Sequence, residues 1–206
     1  MQFETFAPLC QLPFITHGFT LRTTEDTKAD DFESRALTAM GLSPNRFAAA
    51  EQTHGHGVAV VFNTTGERVP LVDALVTSIR NLPLVIRCAD CAAVFIIDRR
   101  KPAIALIHSG KKGTLANITG NTLATMRQKF GTNPTDCASY ISPCIGPCHN
   151  EMDIAANIEQ QLRAAGVKDV HNAQICTACH LDRYFSYRAE KGQTGRMLAV
   201  LALQSP

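Results

Sequence analysis

The run Ala92-Ala93-Val94-Phe95-Ile96-Ile97, followed after a short turn by Ala103-Ile104-Ala105-Leu106-Ile107, constrains the fold most. Successive strand residues point to opposite faces. A strand that is apolar on consecutive residues therefore buries both faces, and its sheet must be covered on both sides. Met197 to Leu203 carries the same signature, although periodicity alone leaves it open between a strand and a buried helix. Val58 to Phe62, Ala74 to Thr77, Leu84 to Ile86 and Ala138 to Ile141 read as further strands bounded by turn residues.

Three helices are expected as cover. Phe32, Ala36, Leu37 and Met40 have helical spacing and stop at Gly41. Leu115, Ile118, Thr122 and Met126 predict a helix from Thr114 to about Phe130, ahead of Gly131. Ala155, Ile158, Leu162 and Ala165 predict a third before Gly166. Adjacent strands mixed with strand–helix units give an α/β or α+β class with a mixed sheet. The 206 residues, 45% of them hydrophobic, suit a single domain over 1–206.

The net charge is +2, and the strongest basic clusters are Arg99-Arg100-Lys101 and Lys111-Lys112. A nucleic-acid binder shows a stronger basic stripe. No apolar run approaches the ~20 residues that span a bilayer, and Met1 to Thr20 lacks the pattern of a signal peptide. The expectation is a cytoplasmic protein without nucleic-acid or membrane partners, its eight cysteines reduced.

His54, Cys91 and His108 each sit at the edge of an apolar run. Two imidazoles and a thiolate make a three-ligand metal site whose fourth position stays open for chemistry. His54 and His56 alternate, so on an extended segment they share a face and either can be the ligand. His108 leads into Ser109-Gly110-Lys111-Lys112-Gly113 and a helix, a strand–turn–helix unit whose free N–H groups suit a phosphate. The alternative is that the lysines are solvated and the glycines only close the turn. Other chemistries fit the same residues. Cys91 and His108 suit a Cys-His hydrolase, and a His₂Cys set suits an electron-transfer copper. The chain's seven histidines are too dispersed for a multicopper laccase centre. A non-enzymatic binding module is a third class.

The remaining cysteines leave several readings. Cys176-Thr177-Ala178-Cys179-His180 has the C-x-x-C-H spacing of haem attachment. Cys88 and Cys91 with Cys176 and Cys179 have the spacing of a zinc knuckle. Cys144 and Cys148 flank a tight Gly-Pro turn, and Cys148 reads as a packing or site-wall residue.

Seven short segments, in order, resemble one family. They are Gln52-Thr53-His54-Gly55; Asp73-Ala74-Leu75-Val76-Thr77; Ala89-Asp90-Cys91; His108-Ser109-Gly110 through Leu115; Ile145-Gly146-Pro147-Cys148; Cys176-Thr177; and Phe185-Ser186-Tyr187-Arg188 with Thr194-Gly195-Arg196-Met197. Together they resemble the YfiH-type, or laccase-domain, family, also called multicopper polyphenol oxidases. The resemblance implies an α+β fold of four layers, α/β/β/α, with mixed sheets (YfiH/CNF-like). It implies a zinc-dependent purine nucleoside phosphorylase of adenosine, inosine, guanosine and methylthioadenosine, with adenosine deaminase activity, as a monomer or small homo-oligomer. Its metal ligands fall on His54, Cys91 and His108, with zinc expected and copper the alternative. A peptidoglycan-editing hydrolase role has also been attached to such proteins. Arg22 matches an early Thr-Arg segment and Asp73 an Asp-Gly-Leu-Val-Thr segment, which puts both near the site.

The chain departs from the pattern at Lys111-Lys112, where the family has Trp-Arg, and at Thr23-Thr24-Glu25-Asp26, where it has Gly-Gly. Lysine does not replace arginine at a bidentate phosphate site, so binding and specificity are expected to differ. For phosphorolysis, Arg22, Lys111 and Lys112 are the expected phosphate ligands. For deamination a carboxylate must shuttle protons. Asp73 is favoured over Asp90, which adjoins Cys91 and on a strand faces the other way.

Overall fold

The computed structural model describes residues 1–63 and 68–205. In chain order it runs β1 (Phe3–Glu4), α1 (Ala7–Cys10), β2 (Ile15–Thr20), α2 (Phe32–Ala39), β3 (Ala48–Ala50), β4 (Val58–Val60), β5 (Arg68–Val69), β6 (Ala74–Thr77), β7 (Leu84–Cys88) and β8 (Ala92–Asp98). It continues β9 (Ile104–Ser109), α3 (Lys111–Leu115), α4 (Ile118–Phe130), β10 (Cys137–Ile141), α5 (Ile154–Ala164), β11 (Asp169–Asn172) and β12 (Met197–Leu203).

The strands form two six-stranded sheets, ordered β1-β2-β12-β7-β3-β5 and β11-β10-β8-β9-β6-β4. Both are mixed. In the first, β12 is antiparallel to β2 and β7 while β3 is parallel to β7. In the second, β8 is antiparallel to β9 and β10 while β4 is parallel to β6.

Alternating side chains explain the layering. Along β8, Ala93, Phe95 and Ile97 enter a core shared with Leu84, Ile86, Met197, Ala199 and Leu201 of the other sheet. The intervening Ala92, Val94 and Ile96 pack on Ile118, Leu123 and Met126 of α4 and Ile154, Ile158 and Leu162 of α5. On the far side, Val85, Leu198 and Val200 meet Phe32, Ala36 and Leu37 of α2. The result is the expected α/β/β/α stack, and Met197–Leu203 resolves as a doubly covered strand. At ~25 cal/mol per Å² of apolar surface buried, each wholly enclosed Leu, Ile or Phe contributes on the order of 2 kcal/mol. No helix of the described residues is long and apolar enough to cross a membrane.

One helix differs from its sequence pattern. The segment expected to be continuous from Thr114 to Phe130 is two helices, α3 and α4. Asn117 breaks them. It adopts a left-handed conformation (φ 54°), and its side chain accepts from the Gly120 N–H, capping α4.

Strand register delivers the chemistry. Ala74 pairs with Ile107 across β6 and β9, and Ala92 with Ser109 across β8 and β9. Asp73, His108 and Cys91 therefore emerge side by side at one end of the second sheet.

Candidate metal centre

The ligand atoms of His54, Cys91 and His108 all lie within 4.8 Å of one another. His108 is buried, Cys91 half-buried and His54 exposed. The two imidazole rings meet edge to face, centroids 4.9 Å apart. A soft thiolate and two imidazoles suit zinc or copper rather than magnesium or calcium. The backbone also leaves room for them. A Cβ on Gly110 would stand 2.6 Å from Cys91 Sγ.

The carboxylate of Asp73 organises the centre from behind. It is wholly buried. Its Oδ1 lies 2.8 Å from His108 Nδ1, and its oxygens also accept from the backbone N–H groups of Thr53, His54 and Gly55 and from the Thr53 hydroxyl. The ion wraps residues 53–55 into a nest of N–H donors. Gln52 and His54 take positive φ, 65° and 59°, to make that turn. His54 and His56 thus do not lie on an extended strand, and the shared-face argument does not apply to them.

The charges follow this geometry. Burial alone would raise the Asp73 carboxyl, but hydrogen bonds from His108, Gly55 and Thr53 outweigh it and hold it at about 2. Burial would lower His108, but Asp73 and Cys91 raise it to about 9. Burial would likewise raise Cys91, and the two histidines bring it down to about 6. The thiolate form that binds metal or attacks carbon is favoured.

A cleft of about 550 Å³ opens above the three ligands, within the range of small-molecule sites. Its lining includes Glu51, Lys111, Asn150, Tyr187, Arg188 and Arg196. Arg68 and Arg87 also reach it, but both are paired with the buried Glu33. Arg188 donates to the His149 carbonyl and to Asn150 Oδ1, and Arg196 to the Thr194 and Gly195 carbonyls. Among the described residues neither guanidinium forms an ion pair with a carboxylate, although the Arg188 charge is felt by the exposed Glu151. The Arg196 guanidinium also lies 5.7 Å from the centroid of the Tyr187 ring, an exposed aromatic on the cleft wall.

The other expected residues are distributed unevenly. Lys111 lines the cleft and pairs with the exposed Glu151. Lys112 is not among the lining residues. Arg22 stands outside the lining too, where it pairs with Glu190 at 2.6 Å and lies over the Phe185 ring. Asp73 faces the rear of His108 rather than the cleft, so its oxygens are committed to positioning. Asp90 adopts φ 82° rather than a strand conformation, and its oxygens accept from the Thr177 hydroxyl and the Arg188 N–H. The turn after His108 leads into a helix of one short span, not the long helix expected to hold phosphate at its start.

Residues 18–153 and 149–204 match the profile of a family described as multi-copper polyphenol oxidoreductase laccase. The chain belongs to this family. A purine nucleoside phosphorylase of Streptomyces coelicolor is 30% identical over 195 residues, covering 82% of this chain and 79% of the relative. The purine nucleoside phosphorylase YlmD of Geobacillus stearothermophilus is 27% identical over 233 residues, with 92% and 84% covered. The crystal structure of that YlmD superposes with a TM-score of 0.90 at 21% identity, covering 98% of this chain and 99% of that one. A Bacillus licheniformis protein, YfiH, gives 0.87 over 98% and 99%. These likenesses bear out the four-layer fold.

Proposed function

We propose that this chain is a zinc-dependent purine nucleoside phosphorylase with adenosine deaminase activity, taking adenosine, inosine, guanosine and methylthioadenosine. The observation that carries it is the pairing of the His54–Cys91–His108 cluster with Arg188 and Arg196, two cleft guanidiniums whose hydrogen bonds go only to uncharged oxygens. A cluster of this kind beside free cations fits a substrate with a polarisable base and an anionic co-substrate. The naming of the relatives as purine nucleoside phosphorylases supports the same reading.

In phosphorolysis an oxygen of phosphate attacks the anomeric carbon as the bond to the purine nitrogen breaks. Arg188, Arg196 and Lys111 hold the phosphate and offset its charge. Tyr187 offers a ring face for the purine, which this Trp-free chain must find elsewhere than at Lys111-Lys112. Asp73 fixes the His108 ring so that Nε2 points to the cluster. Zinc bound at these ligands supplies Lewis acidity at the cleft floor.

Deamination adds water at the purine carbon that bears the amine and releases ammonia. The proton-shuttling role expected of Asp73 falls instead to Glu51, which lines the cleft and engages only Oε2, with the Leu71 N–H. Sequence reading missed Glu51 because no spacing ties it to Cys91.

A Cys-His hydrolase is the second reading. The Cys91 thiol at about 6 beside His108 at about 9 favours a thiolate–imidazolium pair in metal-free protein. Copper oxidase chemistry fits less well, because the cluster holds two histidines where a laccase centre needs many.

The deciding experiment is product chromatography of metal-quantified protein incubated with adenosine and inosine, with and without phosphate. Phosphate-dependent adenine or hypoxanthine, lost in Cys91→Ala and His108→Ala along with the metal, is the expected result. Inosine formed from adenosine adds deamination. Full activity in metal-free Cys91→Ala protein removes the proposal. Turnover that needs Cys91 but survives metal removal moves the assignment to the hydrolase.

A further inference from the structure

A second group of metal-ligating side chains lies outside the cleft. Cys148 and His149 sit on the loop after β10, and Cys176 and Cys179 bracket a 3-10 turn after β11. Their four ligand atoms also lie within 4.8 Å of one another. His149 Nδ1 is 3.3 Å from Cys148 Sγ, 3.6 Å from Cys179 Sγ and 3.7 Å from Cys176 Sγ. Cys148 Sγ and Cys179 Sγ are 3.6 Å apart.

These separations match the edges of a coordination tetrahedron. With usual zinc bond lengths, two sulfurs stand about 3.8 Å apart and a sulfur and a nitrogen about 3.5 Å apart. Each observed edge falls within about 0.3 Å of those values. The sulfurs are too far apart for a disulfide, whose S–S bond is about 2.05 Å.

The backbone supports the cluster. The Gly146 N–H donates to Cys176 Sγ at 3.2 Å, the bond a bound thiolate needs from its surroundings. Turns close through His149 N–H to Gly146 carbonyl and Cys179 N–H to Cys176 carbonyl. A Cβ at residue 146 would lie 3.2 Å from Cys176 Cβ, a tight contact that glycine avoids.

We propose that Cys148, His149, Cys176 and Cys179 form a second metal site, closed and structural, for a thiolate-preferring divalent ion such as zinc. Four protein donors complete a tetrahedron and leave no open position, unlike the three in the cleft. The knuckle expected from C-x-x-C spacing is thus built with Cys148 and His149. Cys88 is buried elsewhere, and Cys91 belongs to the cleft.

The site also braces the cleft. Arg188 donates to the carbonyl of His149, and Thr177, inside the C-x-x-C turn, donates to Asp90. An ion that ties the two loops together holds both cleft residues in place.

The test is metal analysis of the purified full chain, with Cys91→Ala used to empty the cleft centre. Wild-type protein is expected to hold about two zinc ions per chain and Cys91→Ala about one, with none left after Cys176→Ser and Cys179→Ser are added. The second reading is cobalt(II) loaded into Cys91→Ala, which needs no further variant to fold. The cleft then has no thiolate, so intense sulfur-to-cobalt charge transfer reports the second site alone. Cys91→Ala protein that shows no such band after cobalt(II) is added overturns the proposal. So does a Cys148–Cys179 disulfide found by peptide mapping in the protein as purified.

Discussion

Asp73 Oδ1 stands 2.8 Å from His108 Nδ1 while the same carboxylate accepts three backbone N–H groups and a hydroxyl from residues 53–55. One buried charge thus orients one candidate ligand through its ring and another, His54, through its backbone. His108 lies near the end of the central strand β9 and His54 on the loop between β3 and β4, and Asp73 is the group that joins them.

Asp73→Asn therefore acts twice. An amide can place an oxygen toward only part of this donor set, and its own N–H₂ then faces N–H groups. Leaving buried donors unsatisfied costs about 1–3 kcal/mol each, and loss of a ligand's carboxylate partner lowers metal affinity about 10–100-fold. Urea unfolding and competitive chelator titration check both. A folded Asp73→Asn protein with wild-type metal affinity would show that His108 does not depend on this contact.

Gly110→Ala separates the centre from the fold. Gly110 has φ −96° and ψ −175°, a conformation open to alanine, so backbone strain is not at issue. The added methyl would lie 2.6 Å from Cys91 Sγ. Displacing one of three ligands is expected to lower metal affinity by at least about tenfold, with circular dichroism unchanged. Metal content and affinity equal to wild type would mean the thiol has freedom to move aside.

Much of this was legible in the chain, for reasons particular residues make plain. Ala92–Ile97 is apolar at every position because it serves two cores at once, so its strand and double covering could be read directly. Ala48–Ala50 escaped notice because three alanines carry neither strand preference nor alternation. Ile15–Thr20 escaped because His17 and Gly18 interrupt its apolar pattern. His54, Cys91 and His108 were identifiable as residue types, but the bonds that complete the centre join partners 18 to 35 residues apart. Arg188 reaches Asp90 across 98 residues. No local periodicity encodes such pairings. They follow from sheet register, which fixes which strand ends stand together.

Arg188 and Arg196 should set the affinity for phosphate. Their guanidiniums hydrogen-bond only to uncharged oxygens in the protein, so an incoming anion displaces no carboxylate ion pair from them. Replacing either by glutamine removes a charge-assisted contact worth about 1.5–3 kcal/mol, or about 10–100-fold in the KM for phosphate. The KM for nucleoside should move less, and added salt should narrow the difference from wild type. Equal phosphate KM values in Arg188→Gln and wild type would place the anion elsewhere.

His17 makes stability fall in mild acid. It is buried in β2, stacked on Phe6 at 5.7 Å, and its Nε2 accepts the Phe6 N–H at 2.8 Å, so the folded protein holds it neutral. Burial lowers it from 6.5 to about 4. Between those values the unfolded chain binds a proton that the folded chain refuses. Its contribution is therefore fully present above pH 6.5 and is lost progressively as pH falls to about 4. At about 1.4 kcal/mol per pH unit the loss over this window approaches 3 kcal/mol. His17→Gln keeps an acceptor for the Phe6 N–H and removes the titration. Urea unfolding of both proteins between pH 7 and pH 4 should give a steeper decline for wild type by up to about one proton, while other titrating groups cancel in the difference. Parallel curves would mean that His17 is protonated in the folded state, which its bond from the Phe6 N–H forbids.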